Sequence, residues 1–501
     1  MVFSFTILKM RDNKYQSQFR DSAWTYINSK QILGIMILAF LVLTIVHTVF
    51  IRQTRAAVTL TLDVTQKFQK WQGWEVTIPR WFENTLNGSQ PVQKSQIGRL
   101  LDDAVNKLGI TALRMGINLS GKFGVEINND NDDPFDFSET RIDWRCFDPY
   151  MKEFVIPMKA MVEANGEKFT LDLHIITFDF PKGIMQWHLS QPEEYAEVVV
   201  GCIKRMDKLF KVIPDYITPS NEPDNHTSMT KTQLLDNMRT LIKRLQQEGY
   251  TNIKLRYPDT MRINSALSFL DKLEANYPDV LPYIKTLSFH GYGGLEMKTL
   301  NAIRDRAQVL GITTAQTEWM NSNHIPQDIY KCIVWANVSL YQHYVLACQA
   351  QNGGNPGVHY ILTGFNGDNS KPPSFNGFHV NTDFTYPKSQ YYAYQQYSRY
   401  IRPGDIRVDI SSTDASIKPV AFEDTNGRLT IVVLNEKTGN TDIIIKNVKA
   451  DIYNITLTDA KHYGTNMGKQ VVRPQGGSLI FSFVCPGTVT FCKESIINNN
   501  R

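Results

Sequence analysis

Short apolar runs typical of β-strands alternate with amphipathic helical patterns over about 300 residues of the chain. One strand-like run covers residues 109–116 and follows a helical pattern over 97–108. Further runs lie at 169–180, 216–219, 253–257, 284–289, 312–317 and 358–362, with helical patterns at 193–209, 232–248 and 300–310. This alternation predicts an α/β fold whose parallel strands close into a (β/α)8 TIM barrel. A doubly wound open sheet is the alternative, although no GxGxxG sequence follows an early strand.

The helical pattern ends near residues 401–404, where the sequence is Ile-Arg-Pro-Gly. Beyond this point, runs separated by Asn, Gly and Asp predict short strands at 428–434, 441–445, 452–457 and 479–484. Such a series is typical of a β-sandwich packed beside the barrel. The expected boundaries are 58–400 for the barrel, 401–495 for the sandwich and 496–501 for a polar, disordered tail.

Residues 32–51 form an apolar segment of 20 residues with no formal charge. As a helix this segment would extend about 30 Å, the thickness of a bilayer hydrocarbon core. Because basic residues predominate before it, we expect 1–31 to be a basic cytoplasmic tail, 32–51 a transmembrane signal-anchor and 52–57 a linker. The rest of the chain would then lie outside the cytoplasm. A cleaved signal peptide, which would leave a secreted protein, and a buried soluble helix are the alternatives.

The composition is that of a globular protein, with 42% hydrophobic and 20% charged residues among 501. A net charge of +4 would suggest an anionic partner if it were evenly spread. Residues 1–31 contribute +3, however, and Arg52 and Arg55 contribute +2, which leaves −1 for residues 56–501. We therefore expect no nucleic-acid partner, and the basic residues indicate the membrane as the partner of 32–51.

The six cysteines include no CxxC pair, so the sequence indicates no zinc site, and we expect neither a metal nor another cofactor. In an exported chain, a disulfide between Cys485 and Cys492 would cross-link a hairpin, although the sequence does not choose among the fifteen complete connectivities. Simple buried thiols are the alternative for the other four cysteines. Export would also permit N-glycosylation, which we expect at Asn87 or Asn454. The complete set of sequons is Asn87, Asn118, Asn225, Asn337 and Asn454.

Two glutamates follow predicted strands of the barrel. The fourth strand ends in Ser-Asn-Glu-Pro at 220–223, and the seventh ends in Thr-Glu-Trp at 317–319. Barrel enzymes carry their catalytic groups at the carboxyl ends of the strands, so Glu222 and Glu318 should meet at the barrel mouth. Cleavage of a glycosidic bond needs such a pair, one carboxyl to protonate the leaving oxygen and one to attack or to activate water.

With these motifs, the chain resembles the retaining glycoside hydrolases of the (β/α)8 clan A, and most closely family 30. The resemblance implies that Glu222, after Asn221, is the acid/base and that Glu318 is the nucleophile. It extends over most of the chain after the apolar segment and rests on Gln72-Gly73-Trp74, Leu113-Arg114, His290-Gly291-Tyr292 and the octapeptide 397–404, Tyr-Ser-Arg-Tyr-Ile-Arg-Pro-Gly. The sequence departs from the family at Glu75, where a small residue is more usual.

Six further residues are predicted to bind substrate: Arg114, Asn221, His290, Tyr292, Trp319 and Trp74. Arg114 would also hold Glu318 as a carboxylate, and Tyr292 would donate a hydrogen bond to it. Asn221 would bind the sugar 2-hydroxyl. The tryptophans would stack on sugar faces. For each residue an ordinary structural role is the alternative, namely core packing for a tryptophan or a structural ion pair for the arginine.

The expected function is that of a retaining glycoside hydrolase acting on a β-linked polysaccharide or glycoconjugate. By analogy with the family, the sequence Gln72-Gly73-Trp74 at the end of the first strand favours an endo-β-1,6-galactanase-like enzyme. A glucosylceramidase-like or xylanase-like glycosidase and a non-catalytic carbohydrate-binding protein on the same fold are the alternatives. A metal-dependent hydrolase lacks support because no HxH or HExxH cluster is present.

Overall fold

The computed structural model describes most of the chain after residue 56. The described residues are 57–78, 94–118, 144, 147–177, 188–225, 229–319, 324–344, 346–349, 361–363, 374–375, 378–379, 388–474 and 477–493. Within these ranges no helix is long and apolar enough to cross a membrane. The predicted signal-anchor at 32–51, the segments on either side of it and the tail at 496–501 lie outside the described residues.

Eight parallel strands, β2 to β9, form a closed barrel. The bounds of the first nine strands are β1 (Val58–Lys70), β2 (Gly73–Val76), β3 (Ala112–Asn118), β4 (Thr170–Ile176), β5 (Tyr216–Thr218), β6 (Lys254–Arg262), β7 (Ile284–Tyr292), β8 (Thr313–Glu318) and β9 (Val338–His343). Parallel pairing of β2 with β9 closes the ring. The predicted TIM barrel is thus confirmed.

The last barrel strand was mispredicted. The expected run at 358–362 overlaps a three-residue strand outside the barrel, and β9 closes the barrel instead. All six residues of β9 are buried, although Ser339, Gln342 and His343 are polar. Because these polar residues interrupt the apolar pattern, β9 lacks the signal of a buried parallel strand.

Helices alternate with the barrel strands and cover the barrel. Their bounds are α1 (Lys94–Asp102), α2 (Phe147–Tyr150), α3 (Ile156–Ala164), α4 (Pro192–Arg205), α5 (Lys231–Gln247), α6 (Ser265–Asn276), α7 (Met297–Leu310), α8 (Ile325–Trp335) and α9 (Lys388–Ser398). Short π-helical stretches follow α1, α2 and α4 at Asp103–Lys107, Met151–Val155 and Met206–Phe210, and a 3-10 turn covers Leu281–Tyr283. The helix α5 illustrates how the sequence determines these helices. Thr230 and Gln233 form a capping box at its start. Its buried face carries Leu234, Met238 and Leu241.

A second, nine-stranded sheet contains the C-terminal strands and β1. The remaining strands are β10 (Ala347–Gln349), β11 (Ile361–Thr363), β12 (Ser374–Phe375), β13 (Phe378–His379), β14 (Ile406–Ser412), β15 (Ile417–Glu423), β16 (Leu429–Asn435), β17 (Thr441–Lys446), β18 (Asp451–Asp459), β19 (Thr465–Val472), β20 (Leu479–Phe483) and β21 (Gly487–Lys493). The large sheet has the order β19-β18-β21-β16-β15-β14-β1-β17-β20, while β10 to β13 form two small pairs.

The large sheet curls over its own apolar face. Phe481 of the edge strand β20 lies 6.1 Å, ring to ring, from Phe491 of β21, although five strands separate them in the sheet. Gln470 of β19, at the opposite edge, exchanges side-chain hydrogen bonds with the backbone of Ile480 in β20. The predicted C-terminal β region is therefore present, as one curled sheet around its own core.

The strand β1 belongs to this sheet and not to the barrel, which corrects the predicted barrel boundary at residue 58. It pairs antiparallel with β14 and parallel with β17, so the barrel begins at β2. Leu60 and Leu62 are buried while the residues between and beside them are more exposed, the alternation of a strand with one covered face.

Cys485 and Cys492 are both free thiols. Cys485 lies in the bend before β21 and Cys492 near the far end of that strand. At about 3.3 Å per residue along β21, their Cα atoms are too far apart for the roughly 7 Å limit of a disulfide. Cys202 and Cys332 are both buried.

Arg402, within the octapeptide 397–404, joins the barrel to the large sheet. Its guanidinium donates to both carboxylate oxygens of Glu167, at 2.7 and 2.6 Å, and to the backbone carbonyls of Gly109 and Ser398, at 2.6 and 2.7 Å. Four hydrogen bonds therefore fix the chain as it leaves α9.

We expect Arg402→Ala to lower the free energy of unfolding by about 2–4 kcal/mol, because two carbonyls and a half-buried carboxylate lose their donor together. Urea denaturation would measure the loss. Arg239→Ala is the matched control: it removes a forked pair with Asp279 whose side chains are 45% and 56% exposed, and should have a much smaller effect. Equal losses in the two variants would contradict the assigned role of Arg402.

Candidate active site

Glu222 and Glu318 meet at the carboxyl ends of the barrel strands. Glu318 is the last residue of β8, and Glu222 follows β5 in a left-handed backbone conformation with φ of 49°. The backbone N–H of Glu222 donates to the carbonyl of Asp259 at 3.0 Å, which holds this turn in place. A carboxylate oxygen of Glu222 and one of Glu318 lie within 4.8 Å of each other, and the two residues are only 7% and 8% exposed.

Arg114 holds Glu318 from below. Its side chain is fully buried and donates from Nη1 to Oε2 of Glu318 at 2.9 Å. From Nη2 it donates to Oδ1 of Asn221 and to Oδ2 of Asp259, both at 2.5 Å. The predicted contact between Arg114 and Glu318 is therefore present. The side chain is fully buried and contacts the carboxylates, and its predicted contact with substrate stays a prediction.

His290 bridges two carboxylates. Its Nδ1 lies 2.8 Å from Oε1 of Glu222, and its Nε2 lies 3.2 Å from Oδ2 of Asp259. Burial disfavours the imidazolium, but the charges of Glu318 and Asp259 and the hydrogen bonds to Asp259 and Glu222 outweigh burial and raise the pKa of His290 to about 10. The residue is fully buried and carboxylates engage both ring nitrogens, and its predicted contact with sugar stays a prediction.

Asp259 connects the contacts of Arg114 with those of His290 and was not predicted from the sequence. It lies in β6, fully buried, with a backbone φ of 62°, and accepts from Arg114, His290 and Thr317. Burial alone would raise its pKa, but the charges of Arg114 and His290 dominate and hold the pKa well below its ordinary value. The sequence feature that could have identified Asp259 is a carboxylate inside a strand, directly after Pro258.

Tyr292 and Trp319 form an aromatic wall beside Glu318. The hydroxyl of Tyr292 donates to Oε1 of Glu318 at 3.2 Å, as predicted, and burial with the nearby carboxylates raises the pKa of Tyr292, which keeps this donor protonated. The two rings lie 5.3 Å apart, and the indole N–H of Trp319 donates to Asp328 at 2.7 Å. A Cβ at Gly291 would lie 2.4 Å from the Trp319 ring, so only glycine leaves room for it.

Trp74 is packed among aromatic side chains, and its predicted contact with substrate stays a prediction. Its side chain is fully buried, packs against Trp71 and Tyr394, and donates from the indole N–H to the carbonyl of Ile401 at 2.8 Å. Successive residues of a strand point to opposite faces, so Trp74 packs against α9 while Glu75 points into the barrel.

The environment of Glu222 combines burial with two donors. Asn225, which was considered only as a sequon, donates from its amide to Oε2 of Glu222 at 3.0 Å. Burial raises the pKa of Glu222, but the hydrogen bond and positive charge of His290 outweigh it, and the net pKa is lowered. Glu222 is therefore held as the carboxylate partner of a protonated His290.

Glu222, His290 and Glu318 offer ligand atoms close enough to hold a metal ion. Arg114 donates to the Oε2 oxygen of Glu318, however, and Nδ1 of His290 already contacts Glu222. A dication placed here would face a guanidinium and compete with an imidazolium, so these groups suit proton transfer better than metal binding.

A scan against protein-family models gave no match. Solved structures share the fold. The catalytic domain of GH30 xylanase C from Talaromyces cellulolyticus has a TM-score of 0.63 at 14% identity, covering 87% of this chain and 100% of that one. A GH30 endoxylanase from Clostridium papyrosolvens C71 gives 0.60 at 15% identity, with the same shares of 87% and 100%. An endo-β-1,6-glucanase gives 0.60 at 16% identity, covering 87% and 94%.

At these identities the comparison establishes the fold. The predicted resemblance to family 30 of clan A is thus confirmed as a likeness of fold to these structures. A GH39 enzyme from Xanthomonas axonopodis pv. citri, at a TM-score of 0.53 and 11% identity over 89% of this chain and 99% of that one, is a more distant neighbour.

We expect His290 to be doubly protonated at pH 8, because three carboxylates surround it. The ¹⁵N chemical shifts of a histidine-labelled chain would show both ring nitrogens protonated and unchanged between pH 6 and 8.5, with His290→Asn providing the assignment. Because its pKa is raised from 6.5 to about 10, the charge contributes stability that is fully present below pH 6.5 and lost as the pH rises through 10. A titration midpoint near 6.5 would contradict this assignment.

Proposed function

We propose that the chain is a retaining glycoside hydrolase that cleaves β-glycosidic bonds in a polysaccharide, with Glu318 as nucleophile and Glu222 as acid/base. The separation of the two carboxylates carries the proposal, since their nearest oxygens lie within 4.8 Å. Retaining glycosidases place these groups about 5–5.5 Å apart, whereas inverting enzymes need about 6.5–9.5 Å to admit water between them.

Glu318 is arranged as a nucleophile. Arg114 donates to one of its oxygens and Tyr292 to the other, so hydrogen bonds to both oxygens fix the orientation of its carboxyl group. In the first step Glu318 attacks the anomeric carbon while the glycosidic bond breaks and Glu222 protonates the leaving oxygen. In the second step water, deprotonated by Glu222, displaces Glu318 from the sugar.

Glu222 serves both steps because its charge balance changes between them. The aglycone covers Glu222 on binding and removes water, which raises its pKa toward that of an acid. Formation of the glycosyl ester removes the negative charge of Glu318, and the positive charge of His290 then lowers the pKa of Glu222 and favours the base. His290, which lowers the pKa of Glu222 in the free chain, thus also assists deglycosylation.

Asn221 and Trp319 supply the sugar contacts. The amide oxygen of Asn221 is occupied by Arg114, which orients its amide N–H₂ group for donation to the sugar 2-hydroxyl. Trp319 is only partly buried and presents an aromatic face beside the nucleophile. A non-catalytic binding protein would not need two carboxylates at the distance for double displacement.

For the substrate we propose a β-linked polysaccharide cut by endo-β-1,6-galactanase-like action, with xylan and glucosylceramide as the alternatives. The names of the neighbouring structures include xylanases and an endo-β-1,6-glucanase, which supports a polymer over a glycolipid. We further propose that residues 32–51 anchor the enzyme in a membrane with its barrel outside the cytoplasm, or that their cleavage secretes it.

Residues 56–501 should hydrolyse at least one of β-1,6-galactan, β-1,6-glucan, xylan and glucosylceramide. Glu222→Gln should lower kcat about 10²- to 10⁴-fold, and Glu318→Gln should abolish turnover. Proton NMR of the first product should show the β-anomer. Glu163→Gln, on an exposed helical ion pair, is the control and should retain full activity. Release of the α-anomer, or full activity in Glu318→Gln, would refute the proposal.

A further inference from the structure

A row of buried charges continues from the site into the barrel. Arg256 donates from Nη1 to both carboxylate oxygens of Glu75, at 2.7 and 3.0 Å, and lies 3.3 Å from Asp172. Asp172 in turn lies 3.9 Å from Nε of Arg114. The side chains of these four residues are at most 1% exposed. The proposed reaction has no use for Glu75, Arg256 or Asp172.

Each member of the row comes from a different barrel strand. Glu75 lies on β2, Arg114 on β3, Asp172 on β4 and Arg256 on β6, and all four point inward. Charges in a barrel interior are costly because they are removed from water. This space is ordinarily filled by Val, Ile and Leu. Pairing with alternating signs offsets part of that cost, and Tyr216 covers the Arg256 guanidinium at 4.5 Å from its ring centre.

We infer that Glu75 is a positioning residue for the proposed reaction: through Arg256 and Asp172 it sets the place of the Arg114 guanidinium, and hence how strongly Arg114 holds the nucleophile Glu318. The inference rests on the proposed function of Glu318.

Competition for Asp172 is the physical basis. Asp172 lies near two cations, Arg256 and Arg114, and Nε of Arg114 makes no hydrogen bond to any described residue. When Glu75 is ionised it holds Arg256 through both oxygens, and Asp172 is left to attract Arg114. When Glu75 is neutral, Arg256 turns to Asp172, and Arg114 is released toward Glu318 and Asp259.

Glu75 can change between these states near neutral pH. Burial raises its pKa most, Asp172 raises it further, and the charges of Arg256 and Arg114 oppose both; the resulting pKa is about 7. Among the described residues, Tyr394 of α9 also lies within range of the charge of Glu75, and it stays neutral because burial raises its pKa. Glu75 is therefore protonated below pH 7 and ionised above it.

The test measures how fast Glu318 is labelled by 2-deoxy-2-fluoro-β-glycosyl fluorides, using the sugar that labels the wild-type chain fastest and intact-protein mass as the readout. Glu75→Gln imitates the protonated state at every pH. We expect its labelling rate to match the wild type below pH 6 and to differ about 2- to 30-fold above pH 8, because only the wild type changes state between them.

Glu167→Gln is the matched control, since it also neutralises a glutamate bound bidentately by an arginine, Arg402, but far from the nucleophile. It should lower stability and leave the pH profile of labelling unchanged. Identical profiles for Glu75→Gln and the wild type would overturn the inference while leaving the proposed function intact. Absence of labelling in the wild type would instead refute the proposed function, and the inference with it.

Thermal unfolding of the same variants checks folding and the sign of the titration. The pKa of Glu75 is raised from 4.5 to about 7, so its protonation contributes stability that is present below pH 4.5 and lost as the pH rises through 7. The wild type should therefore lose more Tm between pH 5 and 8 than Glu75→Gln does. Should Glu75→Gln fail to fold, Asp172→Asn tests the same row, and a wild-type labelling profile in that variant would overturn the inference.

Discussion

The buried guanidinium of Arg114 is the interaction on which the candidate site depends. It lies within 2.9 Å of oxygens of Glu318, Asn221 and Asp259, with no exposed surface. Removing such a charge from water costs several kcal/mol, which only well-placed counter-charges offset. The strands β3, β6 and β8 and the segment that follows β5 must therefore converge on one point for the barrel to be stable. The contacts of Arg114 that stabilise the closed barrel therefore also hold the proposed nucleophile Glu318 in place.

The charged groups around Arg114 also determine how many protons the barrel interior must hold. Five carboxylates meet three cations inside the barrel: Glu75, Asp172, Glu222, Asp259 and Glu318 against Arg114, Arg256 and His290. An excess of two negative charges cannot persist in a low-dielectric interior without protons. Glu75, with a pKa raised to about 7, accounts for one proton below that pH. This proton lies in the same connected network as the two proposed catalytic glutamates.

The sequence was sufficient for the barrel and for the two glutamates, because strand ends in a parallel barrel converge whatever their separation in the chain. It was insufficient for Asp259, whose place within β6 gives no strand-end signal, although its contacts with Arg114 and His290 join the two halves of the site. His290 occupies a predicted site position, but its bridge between carboxylates could not be predicted, because burial is a property of the whole fold.

The face to which each side chain points then decides its chemistry. In β3, Leu113, Met115 and Ile117 pack with the helices in the large core, while Arg114 between them points inward. In β2, pairing with β9 places Trp74 beside Tyr341 and Glu75 beside Gln342. A shift of one residue would bring the tryptophan inside and leave Glu75 among apolar side chains. The register that closes the barrel therefore also determines which carboxylates can reach Arg256 and Arg114, so a chain with the same composition but another register would lack the charged row altogether.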